Sequence, residues 1–285
     1  MEQKGIIKKV HVPTEWVNSL VIVEKHDSND IRICLDPKNL NKAIQREHHP
    51  LPTIEEITTR LTGAKVFSKL DANSGYWQIP LEEESQLLTT FNTPQGRYCF
   101  TRMPFGITSA QEIFHKRINE AFEDLEGVET DIDNILVWGT KRLRKVLNRC
   151  YAINLTLNEK KCQFNKEEIT YLGHKLTQKG VQPDQEKIKV IAAMPPPEDK
   201  KGVERLLGTV SYMAKFIPNL STISEPIRKL LKKEVQFTWE HEQERAFVEI
   251  KNALTSEKTL GYFNPNEAIT LECDSSRSGL GAVVT

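Results

Sequence analysis

Residues 66–81 read VFSKLDANSGYWQIPL and residues 131–139 read DIDNILVWG; the fold turns on how these two stretches meet. In the first, a short apolar run ends at Asp71 and opens into a Ser/Gly turn, which predicts a strand whose terminus projects a carboxylate. In the second, Asp133 falls at the tip of a hairpin, just ahead of a strongly β-prone run. On spacing alone the more ordinary reading is that both are turn residues, because Asp at strand ends bonds to its own backbone. The chemical reading is an in-line displacement at phosphorus. Two divalent ions about 3.5 to 4 Å apart then need hard oxygen donors converging from different strands at one sheet edge.

Working outward, the chain from Trp16 to about Gly180 alternates short β-rich runs (SLVIVEK, KVFSKLD, NILVWG) with helical ones (DPKNLNKAI, SAQEIFHKRINEAFEDL), the pattern of an α+β fold with strands arriving in pairs. HHPLPTIEEITTRL predicts an extended segment and then a helix, with Thr53 as N-cap and Glu56 completing a capping box. MPPPEDKKG at 194–202 is read as a stiff polar linker beyond which a second domain begins, since consecutive prolines propagate neither helix nor central strand. Beyond it Val203, Leu206, Leu207, Val210 and Met213 recur at helical period until Pro218, and Phe247, Ile250 and Leu254 repeat the pattern. AITLECDSSRSGLGAVVT closes the sequence with a strand signature that is expected to be cut short at Thr285.

The bulk properties bound the function. At 285 residues two or three subdomains are expected. Hydrophobic content of 38% with 27% charge is that of a globular protein, and no apolar run approaches the roughly 18 to 20 residues of a membrane helix. The N-terminal MEQKGIIKKVHVP has no apolar core of a secretory signal, so a cytoplasmic or nuclear location without a membrane partner is expected. The five cysteines are scattered singly, which argues against a zinc ribbon and a disulfide framework and marks them as reduced, mostly packing residues. Lys+Arg and Asp+Glu balance at 39 each, so a nucleic-acid partner has to be held by local patches.

VFSKLDANSGYWQIPL, LTTFNTPQGRYCFTRMPFGITSA, NILVWG, LNEKKCQF and YLGHKLT occur in the order of the successive polymerase motifs of gypsy-type retrotransposon reverse transcriptases. The chain resembles that family from WVNSLVIVEK to LECDSSRSGLGAVV. The resemblance implies the reverse transcriptase portion of a Pol polyprotein, with a right-hand polymerase fold: fingers and palm, an antiparallel sheet with packed helices, over 1–180. A small thumb/connection region over 181–266 and a truncated ribonuclease H-like start over 267–285 would follow. It implies an RNA-directed DNA polymerase using two Mg²⁺ ions, with Mn²⁺ as a substitute. The partners would be an RNA or DNA template with its primer, deoxynucleoside triphosphates and the other segments of the parent polyprotein.

By position the resemblance makes Asp71 and Asp133 metal ligands and places Asn134 beside them. Tyr76 matches the aromatic residue that lies under the deoxyribose and excludes a 2′-hydroxyl, its plainer role being an aromatic core plug. Ala72, Phe105 and Gly106 would line the nucleotide pocket, Gly permitting close backbone approach. Lys25 and Arg32 would hold the triphosphate. Either Lys160 or Lys161 would protonate the pyrophosphate. Tyr171, Leu172, Gly173 and His174 would grip the primer terminus, although His174 reads equally as an ordinary strand residue. Asp274 would be the first carboxylate of a ribonuclease H site whose remaining acids lie past Thr285.

The sequence also departs from the family. The hairpin carries Asp133-Asn134 where relatives have two aspartates; an amide keeps the turn's shape but removes a negative charge beside the ions. WGTKRLRKVLNRC lacks several largely acidic residues that relatives carry before this helix, so either the helix loses its first turn or the hairpin is dragged. Gln111 stands where relatives favour proline, and His115 where they favour glutamine. Weakened polymerase activity is the first reading. A catalytically dead nucleic-acid-binding or interaction module that keeps the fold is the alternative.

Overall fold

In the computed structural model, which describes residues 1–24, 31–256, 259–263, 268, 270–276 and 279–284, the chain divides into two units, Met1–Thr53 with Val66–Lys166, and Ile54–Lys65 with Glu167–Thr285. The first unit opens with β1 (Ile7–Lys9), a hairpin of β2 (Ser19–Glu24) and β3 (Ile31–Asp36), and α1 (Lys38–Ala43). After an excursion that gives α2 (Ile54–Thr59) to the second unit, it continues as β4 (Phe67–Asp71), α3 (Glu83–Leu88), β5 (Phe91–Thr93), β6 (Gly96–Phe100), α4 (Ala110–Phe122), β7 (Val128–Asp131), β8 (Asn134–Trp138), α5 (Thr140–Ala152) and β9 (Gln163–Lys166). The fold is α+β, and the strands pair antiparallel in the order β7-β8-β4-β9, with a smaller sheet β1-β6-β5.

One apolar cluster fixes the larger sheet. Leu70 and Ala72 from β4 and its end, Ile135 and Val137 from β8, Phe114, Ile118 and Phe122 from α4, and Leu143, Val146 and Cys150 from α5 are buried together. Their spacings follow from geometry: steps of two along the strands, steps of three or four along the helices. Both helices therefore lie on the face to which Leu70 points. Alternation turns Asp71 to the opposite face, where Asn134 of the paired strand joins it. Burying each large side chain here contributes about 1.5 to 3 kcal/mol, and that is what holds the register of β8 against β4.

The second unit holds a three-stranded antiparallel sheet of β10 (Glu168–Tyr171), β11 (His174–Thr177) and β12 (Gly180–Pro183). Helices α6 (Gln185–Ala193), α7 (Lys200–Tyr212), α8 (Leu220–Ile223), α9 (Glu225–Lys229) and α10 (His241–Thr255) follow. Helix α7 starts where the Asp199 carboxylate accepts the Gly202 N–H at 2.6 Å, and it buries Val203, Leu206 and Val210 as the period predicts. The MPPPEDKKG run lies inside this unit, joining α6 to α7 rather than parting two domains. Pro197 is buried, and Lys200–Gly202 already belong to the helix. The final strand signature is a hairpin of β13 (Leu271–Ser276) and β14 (Gly279–Val284), with Asp274 paired to Gly281. Among the described residues no helix is long and apolar enough to cross a membrane.

The connection from β8 to α5 is a single residue. Strand β8 ends at Trp138 and α5 begins at Thr140, with Gly139 at φ 93 as the joint and no side-chain cap on the helix. The Gly139 N–H donates to Val66 O at 2.9 Å, which anchors the joint to the approach of β4.

Candidate active site

Strand β4 delivers Asp71 and the β7–β8 turn delivers Asp133. The two meet through the backbone: the N–H of Ala72 donates to Asp133 O at 2.7 Å, and Asp71 pairs with Asn134 in register. Asp71 is 9% exposed. Its N–H points to Cys162 Sγ at 3.4 Å, and its carbonyl accepts from Asn158 N at 2.8 Å, so backbone contacts on both sides of the peptide immobilise the residue. The turn itself is strained. Ile132 has φ 52, a left-handed conformation that costs an L-residue about 1 to 2 kcal/mol and suits β-branched side chains least.

Burial holds the Asp71 carboxyl above the ordinary carboxylate range; the Lys161 ammonium, 3.8 Å from Oδ2, opposes this and Asp133 reinforces it. Burial, and then Asp133, likewise raise Asp131. The edge thus concentrates carboxylates that repel one another and that a cation would relieve. Asn134 works the other way. Its Nδ2 donates to Asp133 Oδ1 at 3.0 Å, occupying an acceptor position that a metal would otherwise use. Among the described residues no three His, Cys, Asp or Glu side chains group as a metal site, so a cation here would draw the rest of its oxygen donors from substrate and water.

Close to the carboxylates, Tyr76, Phe105 and Arg32 lie against one another. Tyr76 packs on Phe105 with ring centroids 4.9 Å apart and edge-on to Phe114 at 5.8 Å. Burial raises its hydroxyl pKa, with Asp133 adding to the rise and Arg32 opposing it, so the ring is both a partial core plug and electrostatically coupled to the carboxylate edge. The Arg32 guanidinium lies 5.0 Å from the Phe105 centroid. Gly106 has φ 107, and a Cβ there would collide with the Leu35 carbonyl oxygen. Phe105 O accepts from Leu35 N at 2.8 Å, and Asn41 bridges Gly106 O (2.9 Å) to Thr108 N (3.0 Å). This loop needs glycine for its own packing, quite apart from any ligand. Lys25 lies outside the described residues.

Both lysines are exposed, and Lys161 is the one that reaches Asp71. In the second unit, Leu172 (φ 45) and Gly173 (φ 65) form the two-residue turn between β10 and β11. Tyr171 and His174 flank that turn and are 2% and 1% exposed. Their side chains face inward, which leaves the Leu172–Gly173 turn as the surface a strand could touch. His174 Nδ1 lies 2.8 Å from Leu172 O, and Tyr212 Oη donates to the same carbonyl. Burial lowers the His174 pKa. Asp274 is placed by its backbone in β13.

Three contributors escaped the sequence reading. Cys162, read only as a packing residue, accepts the Asp71 N–H. Asn158, whose N–H is bonded to Asp71 O, also acts through its side chain to lower the Asp71 pKa against the effect of burial. His115, noted merely as a departure, is 2% exposed and accepts the Ile132 N–H on Nδ1 at 3.3 Å. A polar residue on the apolar face of α4, one position past Phe114, was the available signal.

Comparison with known proteins follows this geometry. The family described as reverse transcriptase (RNA-dependent DNA polymerase) matches residues 23–176, and an RNase H-like domain found in reverse transcriptase matches residues 239–285, taking in α10 as well as the last hairpin. The chain is 35% identical over 298 residues to the retrovirus-related Pol polyprotein from transposon 412 of Drosophila melanogaster, covering 99% of this chain and 24% of that protein. It is 32% identical over 263 residues to the transposon Tf2-7 polyprotein of Schizosaccharomyces pombe, covering 90% of this chain and 20% of that one. The chain thus spans about a quarter or less of these relatives. Among solved structures, the foamy viral protease-reverse transcriptase dRH in complex with double-stranded DNA matches with TM-score 0.87 at 23% identity, over 96% of this chain and 50% of that one. The foamy viral protease-reverse transcriptase in complex with an RNA/DNA hybrid matches with TM-score 0.80 at 22% identity, over 100% and 41%.

Proposed function

Because this chain belongs to the reverse transcriptase (RNA-dependent DNA polymerase) family, we propose that it is the RNA-directed DNA polymerase segment of a retrotransposon Pol polyprotein, with its chemistry at Asp71 and Asp133. The observation that carries the proposal is their convergence at one sheet edge, closed by the 2.7 Å bond from Ala72 N to Asp133 O, with Tyr76 coupled to both Asp133 and Arg32. Two mutually repelling carboxylates are a fitting oxygen set for divalent cations, Mg²⁺ or Mn²⁺, which when bound would stabilise the charge that develops at phosphorus.

This chain's own groups then have separable tasks. Asp71 and Asp133 hold the cations. Arg32, with Lys25, binds the triphosphate of the incoming deoxynucleotide. The Tyr76 ring, backed by Phe105 and Phe114, forms a rigid floor under the sugar, and Ala72 and Gly106 line the pocket. Lys161 is the better placed of the two lysines to give a proton to the leaving pyrophosphate, since its ammonium already reaches toward the site. The Leu172–Gly173 turn contacts the primer. Residues 1–180 act as fingers and palm, 181–266 as thumb and connection, and Asp274 as the first carboxylate of the ribonuclease H-like part. A primed template supplies the second substrate; contacts to its phosphates make binding salt-sensitive and indifferent to sequence.

Primer extension on poly(rA)/oligo(dT) with Mg²⁺ or Mn²⁺ tests this. Extension is expected in the native chain and is lost in Asp71→Ala. Salt-sensitive binding of the primed template with no extension, unchanged by restoring Asn134→Asp, would instead favour a nucleic-acid-binding module without catalysis.

A further inference from the structure

Ile132 links the end of β7 to Asp133 in a left-handed conformation that its branched side chain resists. Such a turn persists only where its surroundings over-determine it. On one side it is held by the sheet: Asp131 pairs with Asn134, and Asp133 O accepts from Ala72 N. On the other side lies α4, whose buried His115 accepts the Ile132 N–H on Nδ1. That bond requires a neutral imidazole with its proton on Nε2. Burial, and then the neighbouring His49, whose ring centroid is 5.2 Å away, depress the His115 pKa and favour this form.

We propose that His115 is a positioning residue: its imidazole pins the Ile132 N–H and so sets where the β7–β8 turn presents Asp133 to Asp71. It touches no reacting atom and acts through the backbone of the turn. The consequence for catalysis rests on the polymerase reading above, whereas the consequence for the turn does not.

The test uses the full chain with His115→Leu and His115→Met, which remove the acceptor, and His115→Asn, whose Oδ1 stands at the same bond distance from the backbone as Nδ1 and can accept the same N–H. Amide exchange at Ile132, followed by NMR, is expected to speed up about tenfold in His115→Leu and His115→Met, the scale of one hydrogen bond, and to return within about threefold of native in His115→Asn. Mn²⁺ affinity, read by water proton relaxation, should fall about tenfold in the first two and recover in the third, as for other residues that orient ligands from behind. In primer extension kcat should follow the affinity while KM for the deoxynucleotide stays within about twofold. If His115→Leu does not fold, the Met/Asn pair carries the comparison. Native exchange at Ile132 in His115→Met, or faster exchange with unchanged Mn²⁺ affinity, overturns the proposal. A native chain that extends no primer removes the polymerase reading, and the exchange and Mn²⁺ arms still decide the role of His115.

Discussion

Replacing Asn134 by Asp is the most informative perturbation of the carboxylate edge, because the structure sets its sign in two directions. In the native chain Asn134 Nδ2 donates to Asp133 Oδ1 at 3.0 Å, and Asn134 faces Asp71 across the β4–β8 register. Asn134→Asp converts that attraction into repulsion between carboxylates about 4 Å apart, worth about 1 kcal/mol in water and about 4 kcal/mol at an effective dielectric of 20. Asp133 and Asn134 are only half-buried, so the lower part of that range applies. Together with the lost hydrogen bond, the metal-free protein should lose about 1 to 2 kcal/mol. Divalent cations reverse the balance: the added charge tightens binding, and binding to the folded state alone stabilises it by about 2.7 kcal/mol at a ligand concentration of 100 Kd. Urea unfolding in EDTA and again in millimolar Mn²⁺ reads both effects. Asn134→Asp is expected to be the less stable protein in EDTA and the equal or more stable one in Mn²⁺. Equal stability in EDTA, or a deficit that Mn²⁺ does not reduce, would refute the placement of a cation between these side chains.

Three further outcomes follow from the same structure. Gly106→Ala, forced to combine φ 107 with a collision at Leu35 O, should destabilise the first unit by about 2 to 4 kcal/mol, seen as a lower Tm in a thermal melt; an unchanged Tm would show that this loop shifts freely. Asp71→Asn should stabilise the metal-free fold at neutral pH. The folded Asp71 binds its proton more tightly than the unfolded one, so charging it costs folded stability as pH rises from the ordinary 3.8 through the raised value, and the advantage of Asn should vanish below that window in a pH series of urea melts. His174, whose folded pKa is depressed below 6.5 by burial, has the opposite sign. Its contribution is complete above pH 6.5 and is lost as pH falls through the folded value, so His174→Leu should flatten the acid limb of stability against pH, and an unaltered limb would exclude it.

The larger sheet and its helices were legible because their signals are local and periodic. VFSKLD and NILVWG are short β-prone runs of strand length, and Phe114, Ile118 and Phe122 recur at the helical step. The pairing of Asp71 with the hairpin was not readable from periodicity and came from motif order, since antiparallel register is set by packing over long sequence distances. MPPPEDKKG misled for an identifiable reason: a proline run forbids regular structure without saying whether its flanks share a core, and Pro197 is buried in one. Leu172 and Ile132 take left-handed conformations that no sequence rule assigns to branched residues, so the tight turns at the hairpin and at YLGH required coordinates. The contributions of Cys162, Asn158 and His115 depend on which atom meets which backbone group, and composition carries none of that.

Gly139 alone separates the last residue of β8 from the first of α5, and this leaves the chain no slack. A slip of β8 by one residue would move α5 along its axis and pull Val146, which has no exposed surface, out of its socket. The position of Asp133 is therefore locked by the packing of a helix that never approaches it. A longer, looser connection would free the hairpin to adjust when substrate arrives. The single-residue joint fixes the register instead, so insertion of a few residues after Gly139 is expected to act on the carboxylate edge as a hinge rather than as added surface.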